Sequence, residues 1–247
     1  MKDFVKFMKN LKTKKNINGK KGGVKVIEIS TSILNVEKGK EAETFFALEK
    51  AKTDYFHIDV MDGEFVEKDT YQKMLEYSSY IKRISNLPMD VHLMVKDVKN
   101  AIQDFSAVEP NIITFHLESC KNKEQVMENI RVIKECGARV GISVKPNTPI
   151  EDVYEYLPYI HMCLIMTVEP GKGGQTLITE MIDKISKLKS YVDSNNLEID
   201  IEVDGGINLK TASRVKNAGA NILVAGTAIL MASDYKVIID ELRDLKE

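Results

Sequence analysis

Residues 163–203 read CLIMTVEPGKGGQTLITEMIDKISKLKSYVDSNNLEIDIEV. The apolar and β-branched run Cys163 to Val168 is a strand candidate that leads into a glycine-rich loop, Gly171-Lys172-Gly173-Gly174. Leu177, Met181, Ile185, Leu188 and Val192 then recur at i, i+4, i+8, i+11 and i+15, one stripe of an amphipathic helix. A second strand candidate follows at Asp200 to Val203. Strand, helix and strand in this order form a βαβ unit, whose two strands run parallel.

The same alternation extends to both sides without a linker. Further strand candidates are Val24 to Ser30, Tyr55 to Val60, Met89 to Met94, Ile112 to His116, Val140 to Val144 and Asn221 to Ala225. Val126, Ile130 and Ile133 mark another helical stripe, Thr148-Pro149-Ile150-Glu151 reads as a capping box that starts a helix, and Gly137 and Gly219 follow helical stretches as helix-ending residues do. Eight β/α units in about 225 residues match a single (β/α)8 TIM barrel over residues 24–247 and suit a doubly wound sheet less well.

Of the 247 residues, 43% are hydrophobic and 29% charged, enough apolar material for a sizeable core. No apolar run approaches the roughly 18 residues of a membrane span. A net charge of -2 argues against a general nucleic-acid binder. Its distribution is uneven, because residues 1–23 hold eight Lys and one Asp while the remainder carries 27 basic and 36 acidic groups. This basic N-terminal extension has Phe4, Phe7, Met8 and Leu11 at helical spacing but lacks Arg, Ser and a cleavable apolar stretch, so it reads as a solvated or loosely docked extension rather than a targeting peptide. Cys120, Cys136 and Cys163 are odd in number and without a C-x-x-C pair, which fits a reducing cytoplasm. A homo-oligomer is expected.

In a TIM barrel the chemistry sits at the carboxyl ends of the strands, with phosphate held by the loops after strands 7 and 8. Strand 2 ends in His57-Ile58-Asp59-Val60-Met61-Asp62-Gly63, strand 3 in Asp90-Val91-His92-Leu93-Met94, and strand 7 in Glu202-Val203-Asp204-Gly205-Gly206. His57 and Asp59 are two apart and so share a face. Two imidazoles and two carboxylates converging from three strands suit Zn, Mn, Fe or Co with an open position better than Mg or Ca. His116, ending strand 4, reads as structural, His161 as lying at the opposite barrel face, and Asp62 as shaping the turn before Gly63. Gly171-Lys172-Gly173-Gly174, Gly205-Gly206 and Gly226-Thr227 end strands 6, 7 and 8, where backbone N–H groups and a helix starting near Gln175 would wrap an anion.

The strings HIDVMDGEFV from His57, DVHLMV from Asp90, MTVEPGKGGQ from Met166 and VDGGI from Val203 resemble the ribulose-phosphate 3-epimerase family, in order from about Val26 to the C-terminus. That resemblance implies one divalent transition metal (Zn, Fe, Mn or Co) on His57, Asp59, His92 and Asp204, with Asp59 and Asp204 as the acid/base pair. It further implies substrate contacts at Ser32, His92, Met61, Met94 and Met166, and phosphate contacts at Gly171 to Gly174 (Lys172 among them), Gly205, Gly206, Gly226 and Thr227. Four departures stand out: Thr31 for the usual Pro, Lys172 for Phe, Thr227 for Ser, and Glu67-Lys68-Asp69-Thr70 without the usual Pro-Asn.

The implied activity is epimerisation of a small phosphorylated ketose, D-ribulose 5-phosphate to D-xylulose 5-phosphate, by two-base proton transfer through an enediolate. A similar enzyme acting on D-allulose 6-phosphate is one alternative, though the Gly173-Gly174-Gln175 and Gly205-Gly206 strings look more like those of the pentose enzymes. A noncatalytic phosphosugar-binding barrel is another, but it would be expected to lose a ligand or carboxylate, and all four are retained.

Overall fold

The computed structural model describes residues 26–244; the boundary at residue 23 and the Lys-rich extension lie outside them. Eight parallel strands, β1 Glu28–Ser32, β2 Tyr55–Met61, β3 Met89–Met94, β4 Ile112–His116, β5 Arg139–Val144, β6 Met162–Met166, β7 Asp200–Asp204 and β8 Ile222–Ala225, close in chain order, with β8 pairing β1. The helices outside the ring are α1 Glu41–Lys50, α2 Tyr71–Ile84, α3 Val98–Ser106, α4 Lys123–Glu135, α5 Met181–Ser194, α6 Ala212–Ala218, α7 Thr227–Leu230 and α8 Tyr235–Asp244. This is the expected TIM barrel.

Local chemistry explains several boundaries. Asp97 and Asn122 cap α3 and α4 by accepting from the N–H groups of Asn100 and Gln125, at 3.2 and 3.0 Å. Gly219 ends α6 with φ of 117°, a conformation that costs other residues. The apolar stripes fall inward as read: α5 buries Met181, Ile185, Leu188 and Val192, and α4 buries Val126, Ile130 and Ile133.

Three expectations need correction. Strand β1 runs from Glu28 to Ser32 rather than from Val24 to Ser30, because the barrel supplies partners for its polar end: Ser30 donates to Asp90 and Thr31 pairs with Thr53. The capping box at Thr148 starts no α-helix. Its hydroxyl donates to Glu118 instead of capping, and the segment forms two 3-10 turns, Ile150–Val153 and Leu157–Tyr159, the second containing Pro158. Helix α5 begins at Met181 and not near Gln175, since Leu177 is buried and the N–H of Ile178 bonds the carbonyl of Thr167 at 2.9 Å.

Residues in register on neighbouring strands face the same side, and a closed ring turns one side inward. The amino-terminal end of the interior is plugged by Tyr55, Ile112, Met162 and Ile222, one from each even-numbered strand. Towards the carboxyl ends the interior turns polar, with Ser30, Asp90, Glu202, His57, Thr114, His92 and Ser143 all fully buried. The apolar core lies outside the ring, between strands and helices, where Phe45 of α1 meets Phe56 and Tyr77 edge to face at centroid distances of 5.5 and 5.6 Å. Phe45→Ala is therefore expected to cost about 3–5 kcal/mol. Denaturant unfolding monitored by circular dichroism checks this, and an unchanged midpoint would contradict it.

Candidate active site

Strand β2 places His57 and Asp59 on the inner face, β3 places His92, and β7 places Asp204. Thr70 holds the end of β2 in place by donating to the carbonyl of Asp59 at 2.7 Å and accepting from the N–H of Met61 at 3.0 Å. His57 Nε2 lies 3.4 Å from Asp59 Oδ1 and 3.9 Å from Asp204 Oδ2, and His92 Nδ1 lies 3.7 Å from each of the same oxygens. These four donor atoms lie within 4.8 Å of one another.

Both nitrogens are fully buried and lack a hydrogen-bond partner, while the other nitrogen of each ring is engaged. His57 Nδ1 donates to Asp90 Oδ2 at 2.7 Å, and His92 Nε2 sits 2.9 Å from His116 Nε2. Two imidazole nitrogens and two carboxylate oxygens aimed at one point, each ring fixed from behind, form a donor set that suits a divalent transition metal. Burial works against charge on His57, yet Asp90 and Asp59 outweigh it and lift its pKa well above the ordinary value. A proton thus occupies the place that a cation would take.

The two carboxylates differ. Burial alone would raise Asp59, but His57 and His92 beside it hold it well below the usual carboxylate range. Asp204 is pushed up to about 6 by burial and by Asp59. One carboxyl is therefore held ionised and its neighbour is poised near neutrality, a separation that suits acid/base work.

Above this set opens a cavity of about 270 Å³. Asp59, Asp204, Ser32, Met61, Met94 and Met166 line it, as do Gly171, Lys172, Gly173, Gly174, Gly205, Gly206, Gly226 and Thr227. His57 and His92 lie beneath it, with no exposed surface. Ser32 donates to Asp59 Oδ2 at 2.6 Å. The three Met side chains join Leu34, Leu164 and Val168 in two small apolar clusters, and Phe65 and Val66 cover the first of them. Gly206 has φ of 69°, and a Cβ there would fall 2.4 Å from the N of Leu177 and 2.9 Å from the O of Gln175, so this close approach of two backbones needs glycine. Gln175 braces the other loop by donating to the carbonyls of Glu169 and Lys172. Lys172 is exposed at the rim, and no hydrogen bond or ion pair from its side chain occurs among the described residues.

Asp62 shapes its turn as read, accepting from the N–H groups of Glu64 and Phe65, and also ties the loop to Lys96. His161 accepts from the N–H of Val140 at 3.0 Å, between the starts of β5 and β6. Sequence reasoning passed over the partners below the site. Asp90 and Glu202 stand two residues before His92 and Asp204, so strand alternation alone puts them on the same inner face. Glu202 is fully buried, and burial with Asp90 facing it raises its pKa well above the ordinary value; in neutral form it can donate to Asp90.

A family model described as the ribulose-phosphate 3 epimerase family matches residues 28–230. A ribulose-phosphate 3-epimerase of Methanocaldococcus jannaschii is 37% identical over 219 residues, 89% of this chain and 91% of that one. One of Bacillus subtilis is 36% identical over 222 residues, 90% of this chain and all of its own length. Among solved structures, the 3-hexulose-6-phosphate synthase of Salmonella typhimurium superposes with a TM-score of 0.63 at 14% identity, covering 88% of this chain and 97% of that one, a likeness of fold alone. No helix among the described residues is long and apolar enough to cross a membrane.

Competition with a chromophoric chelator is expected to show about one zinc ion per chain. His92→Ala should weaken binding by more than the roughly 10- to 100-fold typical of losing an outer-shell partner. Equal zinc affinity in variant and wild type would remove His92 from the ligand set.

Proposed function

The chain belongs to the ribulose-phosphate 3-epimerase family, and from that membership we propose that its barrel mouth interconverts D-ribulose 5-phosphate and D-xylulose 5-phosphate by two-base proton transfer. The enzyme is an isomerase. What carries the mechanistic reading is the pair Asp59 and Asp204, which face one cavity from strands three steps apart around the ring.

Inversion at carbon 3 removes a proton from one face and returns one to the other through an enediolate. The carbon acid is weak, so the base must be held in reach and the developing negative charge met by fixed positive groups. A divalent cation on His57, Asp59, His92 and Asp204, of the Zn, Fe, Mn or Co kind, supplies that charge stabilisation when bound. Each carboxylate turns one oxygen towards the imidazoles, Oδ1 of Asp59 and Oδ2 of Asp204. The remaining oxygens, Oδ2 of Asp59 steadied by Ser32 and Oδ1 of Asp204, are assigned the moving protons. In one direction Asp59 accepts the proton and Asp204 delivers one to the opposite face; the reverse reaction exchanges these roles. Met61, Met94 and Met166 add apolar side chains to the cavity wall that Asp59 and Asp204 share.

The glycine loops are proposed to hold the substrate phosphate by backbone N–H groups, with Lys172 adding charge from the rim. Unphosphorylated ribulose should then be a poor substrate, because remote binding energy positions the reacting carbon. A coupled assay comparing ribulose 5-phosphate with allulose 6-phosphate tests the substrate, and faster turnover of the hexose would overturn the pentose assignment.

Asp59→Asn and Asp204→Asn, each shown to retain metal, are expected to lose about 100- to 10,000-fold in epimerisation. Each should still exchange deuterium at carbon 3 of one epimer in heavy water. Near wild-type epimerisation in either variant would refute the two-base assignment. Lys172→Ala is expected to raise KM up to about fivefold with kcat unchanged, the scale of an exposed charge contact. If KM stays the same, Lys172 points into solvent during turnover.

A further inference from the structure

The two histidines beneath the cavity are fixed from behind by different means. His57 donates directly to a buried carboxylate, Asp90. His92 meets another imidazole, His116, and only the far side of that ring, Nδ1, reaches a carboxylate, Glu118 Oε2 at 3.1 Å. Between the two rings the nitrogens are 2.9 Å apart, so one must donate and the other accept.

The geometry points to Glu118 as a positioning residue that sets the proton of His92 through His116, and this rests on the reading of His92 as a cation ligand. A carboxylate only accepts, so Glu118 draws the neutral His116 proton to Nδ1. His116 Nε2 is then an acceptor. His92 must place its own proton on Nε2, which leaves a lone pair on Nδ1, the nitrogen that faces Asp59 and Asp204. With the opposite proton order, an N–H would point into the donor set and repel a cation.

Glu118 is itself held for this task. Its Oε1 accepts from the N–H of Lys145 at 2.7 Å and from the hydroxyl of Thr148, which turns Oε2 to His116. Lys184 of α5 braces the same segment, donating to the carbonyls of Lys145, Pro146 and Thr148. His116 is fully buried, with the ring of Phe65 at 4.8 Å, and Lys145 Nζ lies 3.8 Å from the centroid of that Phe65 ring. Neither His116 nor His92 has exposed surface, so the protons between the two rings are placed by protein groups, while Glu118 keeps about 20% of its side chain exposed.

The test is Glu118→Gln. Because the Oε1 position must still accept from Lys145 and Thr148, the amide nitrogen takes the place facing His116 and donates to Nδ1. The order reverses, and His92 carries its proton on Nδ1. Nitrogen-15 NMR of the imidazoles in metal-free protein, at a pH where the rings are neutral, should report Nε2–H for His92 in wild type and Nδ1–H in the variant. Zinc affinity, read by chelator competition, should fall about 10- to 100-fold. A second pair keeps the inference testable if Glu118→Gln does not fold: His116→Gln offers an oxygen to His92 Nε2–H and should keep zinc affinity near wild type, whereas His116→Leu should lose it. An unchanged His92 tautomer in Glu118→Gln, or equal affinity in the two His116 variants, overturns the relay. Should wild type take up no zinc, the cation reading falls, and the tautomer comparison still decides the relay.

Discussion

Closing eight parallel strands into one ring sends every second side chain of each strand into a narrow interior, where an unpaired polar group costs about 1–3 kcal/mol. The interior here is apolar at its amino-terminal plug and largely polar above it, with Leu164, Met166, Met61 and Met94 interspersed towards the mouth. Everything in the site follows from how that polar column satisfies itself. Ser30 and His57 donate to Asp90, Ser32 donates to Asp59, and His92 leans on His116. At the top His57 Nε2 and His92 Nδ1 are left without a partner, and they share one point with an oxygen each of Asp59 and Asp204.

A polar interior of this kind adds little stability, so the fold is held elsewhere. The large apolar cluster joins the outer faces of the strands to the helices, and residues such as Ile29, Phe45, Leu48 and Phe56 have no exposed surface. Stability and chemistry thus occupy opposite faces of the same strands. The separation lets the mouth carry glycines at positive φ and facing carboxylates without disturbing the packing that closes the ring.

The loops at the mouth divide the remaining work. The segment after β2 is tied by Asp62 and Thr70 and lays Phe65 and Val66 over Met61 and Met94. It lacks the Pro-Asn of the family pattern, yet it is secured by side-chain bonds to backbone on both sides. The loops after β6 and β7 meet where Gly206 touches the backbone of Gln175 and Leu177. Lys172 stands exposed at their rim, and Gln175 holds its backbone carbonyl.

Much of this was legible in the chain itself. Strand and helix alternation, the inward stripe of α5, the ends of α4 and α6, and the pairing of His57 with Asp59 on one face all follow from local periodicity, which the backbone enforces over a few residues. Thr148 shows the limit: its capping-box pattern is local, but a carboxylate from the turn after β4, Glu118, took its hydroxyl. Thr31 and Ser32 lie beyond the strand end read from the sequence, and ring closure brings their partners Thr53 and Asp59 beside them. Sequence by itself determined the barrel and the residue types at its mouth. Only tertiary structure decided which nitrogen of each histidine faces the site, because each ring is turned by a partner, Asp90 33 residues or His116 24 residues away, that strand closure alone brings within hydrogen-bond reach.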